Sequence, residues 1–209
     1  MKSIQVDKGH YRFSKYLHKS RWLSIWHQLD EVLSLEPESV LELGLGPGLF
    51  KALASHYGIK VETVDLDPDL KPDYVASADK LPIENDTYDC VCAFQMLEHL
   101  PYKQSQQAFS EMVRVTKKYI VISLPDANTK WVYSLHIPKL GRKIIHFPRP
   151  RFNKIEHKFD GEHYWEINKK GYPLQKIIND FTCNEQVRHI KTYRVEEYPY
   201  HRFFVFKKN

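Results

Sequence analysis

The chain has 209 residues, 42% of them hydrophobic and 27% charged, with a formal net charge of +5. That is the composition of one ordinary globular domain and excludes a fibrous or wholly disordered chain. No run approaches the roughly 20 apolar residues of a membrane span, and Met1 to Gln5 begins no signal-peptide pattern, so a cytoplasmic location is expected.

Residues 12–35 come first. Phe13, Tyr16, Leu17, Trp22, Ile25, Trp26, Leu29, Val32 and Leu33 recur at spacings of three and four, which predicts a helical arm ended by Pro37. Its tryptophans are expected to pack on a sheet, and the arm to flank or lid a pocket.

Val40-Leu41-Glu42-Leu43 then reads as a buried strand, followed by Gly44, Gly46 and Gly48 at alternate positions and a helical pattern from Phe50 to Tyr57, closed by Gly58. A strand, a glycine turn and a helix start make a nucleotide-type pocket at the carboxyl end of a parallel strand, and equally an ordinary connection. Leu49 stands where a dinucleotide fingerprint has its third glycine, and Leu49-Phe50 replace the Lys-Ser/Thr of a P-loop. The turn therefore suits a ligand without a pyrophosphate. Glu42, inside a core strand, needs a partner, which a ligand amine would supply.

Ile59 to Asp65 predicts a second strand, with Asp65 at its carboxyl end where an acid can accept ribose hydroxyls. Tyr74 to Ala76 predicts a third. Cys90 to Phe94 predicts a fourth, with Cys90 and Cys92 pointing the same way into the core. A helix is expected over 104–115 and a fifth strand over 118–124, stopped by Pro125. The alternation of strand and helix argues for a parallel sheet covered on both faces.

From Asp126 to His163 the pattern loosens into a proline- and aromatic-rich insert, of a length that goes with function or mobility. Between Lys139 and Lys158, seven cations (Lys139, Arg142, Lys143, Arg149, Arg151, Lys154 and Lys158) face one acid, Glu156. This is either a solvated basic loop or a surface that steers an anionic substrate; no RNA-binding module accompanies it. A last helix is expected over 168–181, then strands over 187–195 and 201–207 as an antiparallel pair at the sheet edge.

Together these motifs resemble the class I S-adenosylmethionine-dependent methyltransferases. The first motif is Val-Leu-Glu-Leu-Gly-Leu-Gly-Pro-Gly at 40–48 and the second Val64-Asp65-Leu66. They are followed by Ala78-Asp79-Lys80-Leu81-Pro82-Ile83 with Tyr88-Asp89-Cys90-Val91, and by Met96-Leu97-Glu98-His99-Leu100. The resemblance implies a Rossmann-like doubly wound seven-stranded sheet, mostly parallel with an antiparallel C-terminal edge strand. It implies one domain over 1–209: an arm (1–38), a cofactor-binding half (39–125), a variable substrate insert (126–165) and a C-terminal helix with strands (166–209).

The implied cofactor is S-adenosyl-L-methionine, with S-adenosyl-L-homocysteine as product. Gly44, Gly46 and Gly48 would admit its amino-acid part, Glu42 would face its ammonium, Asp65 would bind the ribose and Leu66 would pack on the adenine. Ser77 stands where the family usually has an adenine-binding acid, so Ser77, Ala78 and Asp79 share that contact. Phe94 and Gln95 would line the methionine side. His99 is the candidate base, the alternative being a helix-start residue bonded to nearby backbone.

Some quinone O-methyltransferases of the family carry acids before the Glu-His pair that help bind a divalent ion. Gln95 stands at one such position, and the six-residue spacing of His157 and His163 fits no compact ligand set; no metal is expected. Tyr133, Arg149, Arg151, His157, His163 and Tyr164 are the expected acceptor-pocket residues. The implied activity is methyl transfer to a small or medium-sized acceptor, at oxygen, nitrogen or carbon; the acceptor would be anionic on the steering reading of the basic insert. RNA or protein as acceptor, disfavoured for nucleic acid by Phe94-Gln95-Met96-Leu97 after the fourth strand, and a non-catalytic cofactor-binding regulator are the alternatives.

Overall fold

The computed structural model describes residues 13–150 and 155–209. The sequence from Ser39 to Asp65 sets the frame. Strand β1 (Ser39–Leu43) is buried on both faces, helix α3 (Leu49–His56) follows its glycine turn, and β2 (Lys60–Asp65) returns parallel to β1. The short β3 (Tyr74–Val75) pairs with β2, and β4 (Tyr88–Phe94) lies on the other side of β1.

Helix α4 (Tyr102–Val115) leads into β5 (Thr116–Pro125), parallel to β4. Helix α5 (Leu174–Thr182) then precedes β8 (Val187–Arg194) and β9 (His201–Lys208). The seven-stranded sheet runs β3-β2-β1-β4-β5-β9-β8, its first five strands parallel and β9 antiparallel to both of its neighbours. This is the expected doubly wound Rossmann-like architecture. The outer position goes to β8, with the C-terminal β9 one place in.

Two apolar layers cover the sheet. On one face Val91, Ala93, Ile120, Ile122, Phe204 and Phe206 pack with Phe109 and Met112 of α4 and with Ile177 and Phe181 of α5. On the other, Cys90, Cys92, Val121 and Phe203 pack with Phe50 and Ala54 of α3 and with Val32. Both strand cysteines are buried on the same face, as their alternation predicts.

The arm divides into α1 (Phe13–Tyr16) and α2 (Lys19–Leu33). Helix α2 buries Ile25 and Val32, whereas Trp22 and Trp26 are exposed. The periodicity holds, but the tryptophans lie outside the face that meets the sheet.

The insert is more regular than its sequence suggests. It holds a separate antiparallel hairpin of β6 (Lys130–Ile137) and β7 (Gly141–Pro148). Its root is anchored where Asp126, at 1% exposure, takes ion pairs from Arg194 and Arg202 on the last two strands. A buried carboxylate without those cations would be costly.

Candidate active site

The glycine turn is built to bring backbone close to whatever binds there. Gly44 sits at φ +81°, and a Cβ on it would meet Met96 Cγ at 2.6 Å; only glycine fits. Gly46 also has positive φ, and Gly48, at φ 72°, opens α3. The turn is locked to β2: the Gly44 N–H donates to the Val64 carbonyl at 2.9 Å, and the Leu45 N–H to Asp65 Oδ2 at 3.0 Å. Asp65 Oδ1 accepts the Asp67 N–H at 3.0 Å, which leaves lone pairs on both oxygens. Burial pushes its carboxyl pKa up, against the pull of the Asp67 and Leu45 amides.

Glu42 is 4% exposed, and its Oε2 has no hydrogen-bond partner. Burial raises its pKa well above the usual range, Lys51 opposes that, and Asp65 adds to it. A buried, unpartnered carboxylate is an energetic liability unless something cationic or hydrogen-bonding completes it.

Glu42 faces a cleft lined by Gly44, Gly46, Phe94 and Gln95 from the sheet side. Gln95 adopts φ +52°, held by its N–H to the Ser123 carbonyl at 2.9 Å and its Nε2 to Ser123 Oγ at 3.2 Å. Strained backbone of this kind at a strand end collects at functional sites. Phe94 packs edge-on to Phe50 at 5.1 Å.

The arm flanks the cleft, as its place before the glycine turn predicts: Tyr16, Arg21, Ile25 and Gln28 supply the opposite wall, joined by His201 from the start of β9, which sequence reasoning missed. The Arg21 guanidinium lies 4.3 Å over the Tyr16 ring. His201 Nδ1 meets Ser24 Oγ at 2.7 Å, while its buried Nε2 is unpartnered. Burial, aided by the Arg21 charge, pushes its pKa well below normal and keeps the ring neutral.

On the β2 side, the Ala76 N–H donates to the Asp65 carbonyl at 3.0 Å, which brings residues 76–79 alongside Asp65 and Leu66. Asp79 is held by Ser77 Oγ on one oxygen and by Gln104 Nε2, at 3.0 Å, on the other. Ser77, Ala78 and Asp79 thus share one loop.

A second group of polar residues forms after β4. Glu98 is fully buried, neither of its carboxylate oxygens has a hydrogen-bond partner, and burial lifts its pKa to about 7 against the pull of His163. The insert crosses over it. The Tyr164 N–H donates to the Glu98 carbonyl at 2.8 Å, and the His163 ring meets the His99 ring at 5.0 Å.

His99 Nδ1 lies 2.9 Å from the Glu162 carbonyl. A carbonyl only accepts, so Nδ1 carries the proton and Nε2 the basic lone pair. His163 Nδ1 is likewise 3.1 Å from Glu166 Oε1, which also takes the Tyr200 hydroxyl at 3.1 Å. Burial alone would depress the His163 pKa, but Glu166, Glu98 and Asp160 together raise it.

Of the six expected acceptor residues, His163 and Tyr164 reach this cluster. His157 donates from Nε2 to the His163 carbonyl at 2.7 Å. Tyr133 and Arg149 belong to the exposed hairpin and its root instead, and Arg151 lies outside the described residues. Glu98, His99 and His163 each offer a ligand atom within 4.8 Å of the others, as do Asp160, His163 and Glu166. The compact group is therefore His163 with Glu98–His99, not the sequence pair His157 and His163.

Residues 41–122 match the family model of a methyltransferase domain. That stretch holds the glycine turn, Asp65 and the Glu98–His99 step. Solved structures share the methyltransferase fold at low identity. A Synechocystis PCC 6803 magnesium protoporphyrin IX methyltransferase with bound S-adenosylhomocysteine aligns at TM-score 0.59 and 13% identity, covering 91% of this chain and 84% of that one. An S-adenosylmethionine-dependent methyltransferase from Clostridium acetobutylicum ATCC 824 aligns at 0.60 and 10%, covering 96% of each. A Burkholderia thailandensis 1,6-didemethyltoxoflavin-N1-methyltransferase aligns at 0.60 and 12%, covering 94% and 85%. No curated protein matches the chain by sequence. No described helix of the chain is long and apolar enough to cross a membrane.

Proposed function

We propose that this chain transfers a methyl group from S-adenosylmethionine to a small or medium-sized acceptor. The observation that carries the reading is the buried Glu42 carboxylate, its Oε2 without a hydrogen-bond partner, beside a glycine turn that is hydrogen-bonded to Asp65. The donor set fits the cofactor: an anion for its ammonium, a half-engaged carboxylate for its ribose hydroxyls, and a backbone without Cβ atoms between them. Leu66 would pack on the adenine and the Ser77–Asp79 loop would meet its edge, while Phe94 and Gln95 would line the methionine side. When bound, the cofactor supplies an electrophilic sulfonium methyl, so the protein's task is alignment and proton handling.

His99 and His163, both set with Nε2 as acceptor, are the residues that take a proton from a hydroxyl or amine acceptor. Glu166 and the Glu162 carbonyl fix their rings. Buried Glu98 beneath them supplies negative charge as it ionises, which stabilises a protonated imidazole. His201, kept neutral against the cofactor cleft, orients the acceptor rather than carrying charge.

Incubation with methyl-labelled S-adenosylmethionine tests the proposal against small-molecule extract, RNA and protein in parallel. Label is expected in the small-molecule fraction, suppressed by S-adenosylhomocysteine and by His99→Ala. Label only in RNA or protein would overturn the acceptor class, and tight cofactor binding with no label anywhere would overturn the activity.

A further inference from the structure

We propose that the β6–β7 hairpin is a docking surface for an anionic lipid bilayer. In an antiparallel pair, residues directly opposite share a face. The register pairs Trp131 with Phe147, Tyr133 with Ile145, Leu135 with Lys143 and Ile137 with Gly141. One whole face is therefore aromatic and aliphatic with a single lysine, and its large residues are all exposed: Trp131 48%, Leu135 50%, Phe147 51%, with Leu140 at the tip 65%. On the opposite face Ile144 and His146 are partly covered and His146 Nε2 donates to the Glu196 carbonyl at 2.8 Å, while Val132, Ser134 and His136 are exposed. A contiguous apolar face turned to solvent on a domain of this size marks an interaction site.

The charge of the segment selects the occupant. Residues 127–155 contain seven lysines and arginines and no aspartate or glutamate. That stretch alone exceeds the +5 of the whole chain, so the remainder is net negative. A second copy seated face to face would bring two such stretches together, at a repulsive cost. A single-stranded RNA could use the phosphates' charge and the aromatic rings, but Leu135, Ile137, Leu140 and Ile145 offer it nothing. An anionic bilayer satisfies both halves of the pattern, headgroups meeting Lys139, Arg142 and Lys143 while the apolar face enters the acyl boundary. The hairpin is one exposed element beside the sheet, so this inference stands whether or not the methyl-transfer reading does.

The experiment is flotation of the full chain with vesicles of phosphatidylcholine alone and of phosphatidylcholine mixed with phosphatidylglycerol, alongside light scattering for oligomeric state. Binding is expected to the mixed vesicles, at least about tenfold over the neutral ones, and to fall with added salt. Arg142→Ala with Lys143→Ala should lose most of that preference, each cation near an anionic surface being worth about fivefold. Leu135→Asp with Phe147→Asp should reduce binding at least about tenfold, with thermal unfolding unchanged because both side chains are exposed. Equal binding to the two vesicle types, no binding, or full binding by Leu135→Asp with Phe147→Asp would overturn the proposal. So would a dimer that this double variant dissociates, or binding to single-stranded RNA with none to vesicles.

Discussion

The Leu45 amide donates to the Asp65 carboxylate at 3.0 Å, so the turn after the first strand and the acid ending the second are one construction. A ligand that engages either end meets a surface already fixed by the other, and the cost of ordering it is met during folding. Glu42 stands at the far side of that construction, where its Oε2 has no hydrogen-bond partner.

Glu42→Gln should therefore separate stability from binding. Burial raises the folded-state pKa of Glu42. A carboxyl raised in this way favours the fold below its unfolded pKa, and that contribution is lost as pH rises through the folded value. At neutral pH the variant should melt higher than wild type, by a margin that shrinks as pH falls through the carboxylate range. Its affinity for S-adenosylmethionine should fall at least about tenfold, one lost charge-assisted contact being worth about 1.5–3 kcal/mol. Scanning calorimetry across pH and titration calorimetry check the two halves.

Glu98 has its own pH signature. Its pKa of about 7 lies above the unfolded carboxylate value, so its stabilising contribution is full in acid and declines between the carboxylate range and about pH 7. The swing is on the order of 3 kcal/mol. Glu98→Gln should flatten that decline in urea denaturation midpoints measured from pH 4 to pH 8 (on the order of that window). A variant that keeps the wild-type slope would assign the titration to another group.

Gly44→Ala should destabilise the domain by about 1–3 kcal/mol, through positive φ and through the clash with Met96. Met96→Ala in the same chain should restore only part of the loss, because it removes the Cγ contact and leaves the backbone strain. Full restoration, read from denaturant midpoints, would show that the clash alone requires glycine.

His99→Ala and His163→Ala should each lower turnover by about 100-fold or more, if proton removal is part of the step, while the dissociation constant for S-adenosylhomocysteine stays within about twofold (below roughly 0.5 kcal/mol). Since the rings lie 5.0 Å apart, the double variant should lose less than the product of the two single effects. Strictly multiplicative losses would mean that the two histidines act separately.

The sheet and the first wall of the cleft are legible in the sequence because each has a local signal. A continuous apolar run marks β1, alternate glycines mark the turn, and Asp65 ends the next run. For the second wall only the arm as a whole is legible, not the residues it turns to the cleft. Arg21 and Gln28 look like solvated positions of an amphipathic helix, and His201 sits on the last strand; only the antiparallel return of β9 beside β5 carries it to the cleft. Glu98 and His163 meet through loops that have no period to read, joined by the backbone bond from Tyr164. The hairpin did leave a trace, in the alternation of Trp131, Tyr133, Leu135 and Ile137. Alternation usually reports a buried face, whereas here the apolar side is exposed, and flanking prolines mask the strands.

The most direct measurement is calorimetric titration of S-adenosylhomocysteine into the folded wild-type chain and into Asp65→Ala. Saturable binding to one site per chain in the wild type, weakened at least about tenfold in the variant (about 1.4 kcal/mol), is the predicted result. No heat of binding from a folded wild-type sample, or the same affinity in both proteins, would contradict it.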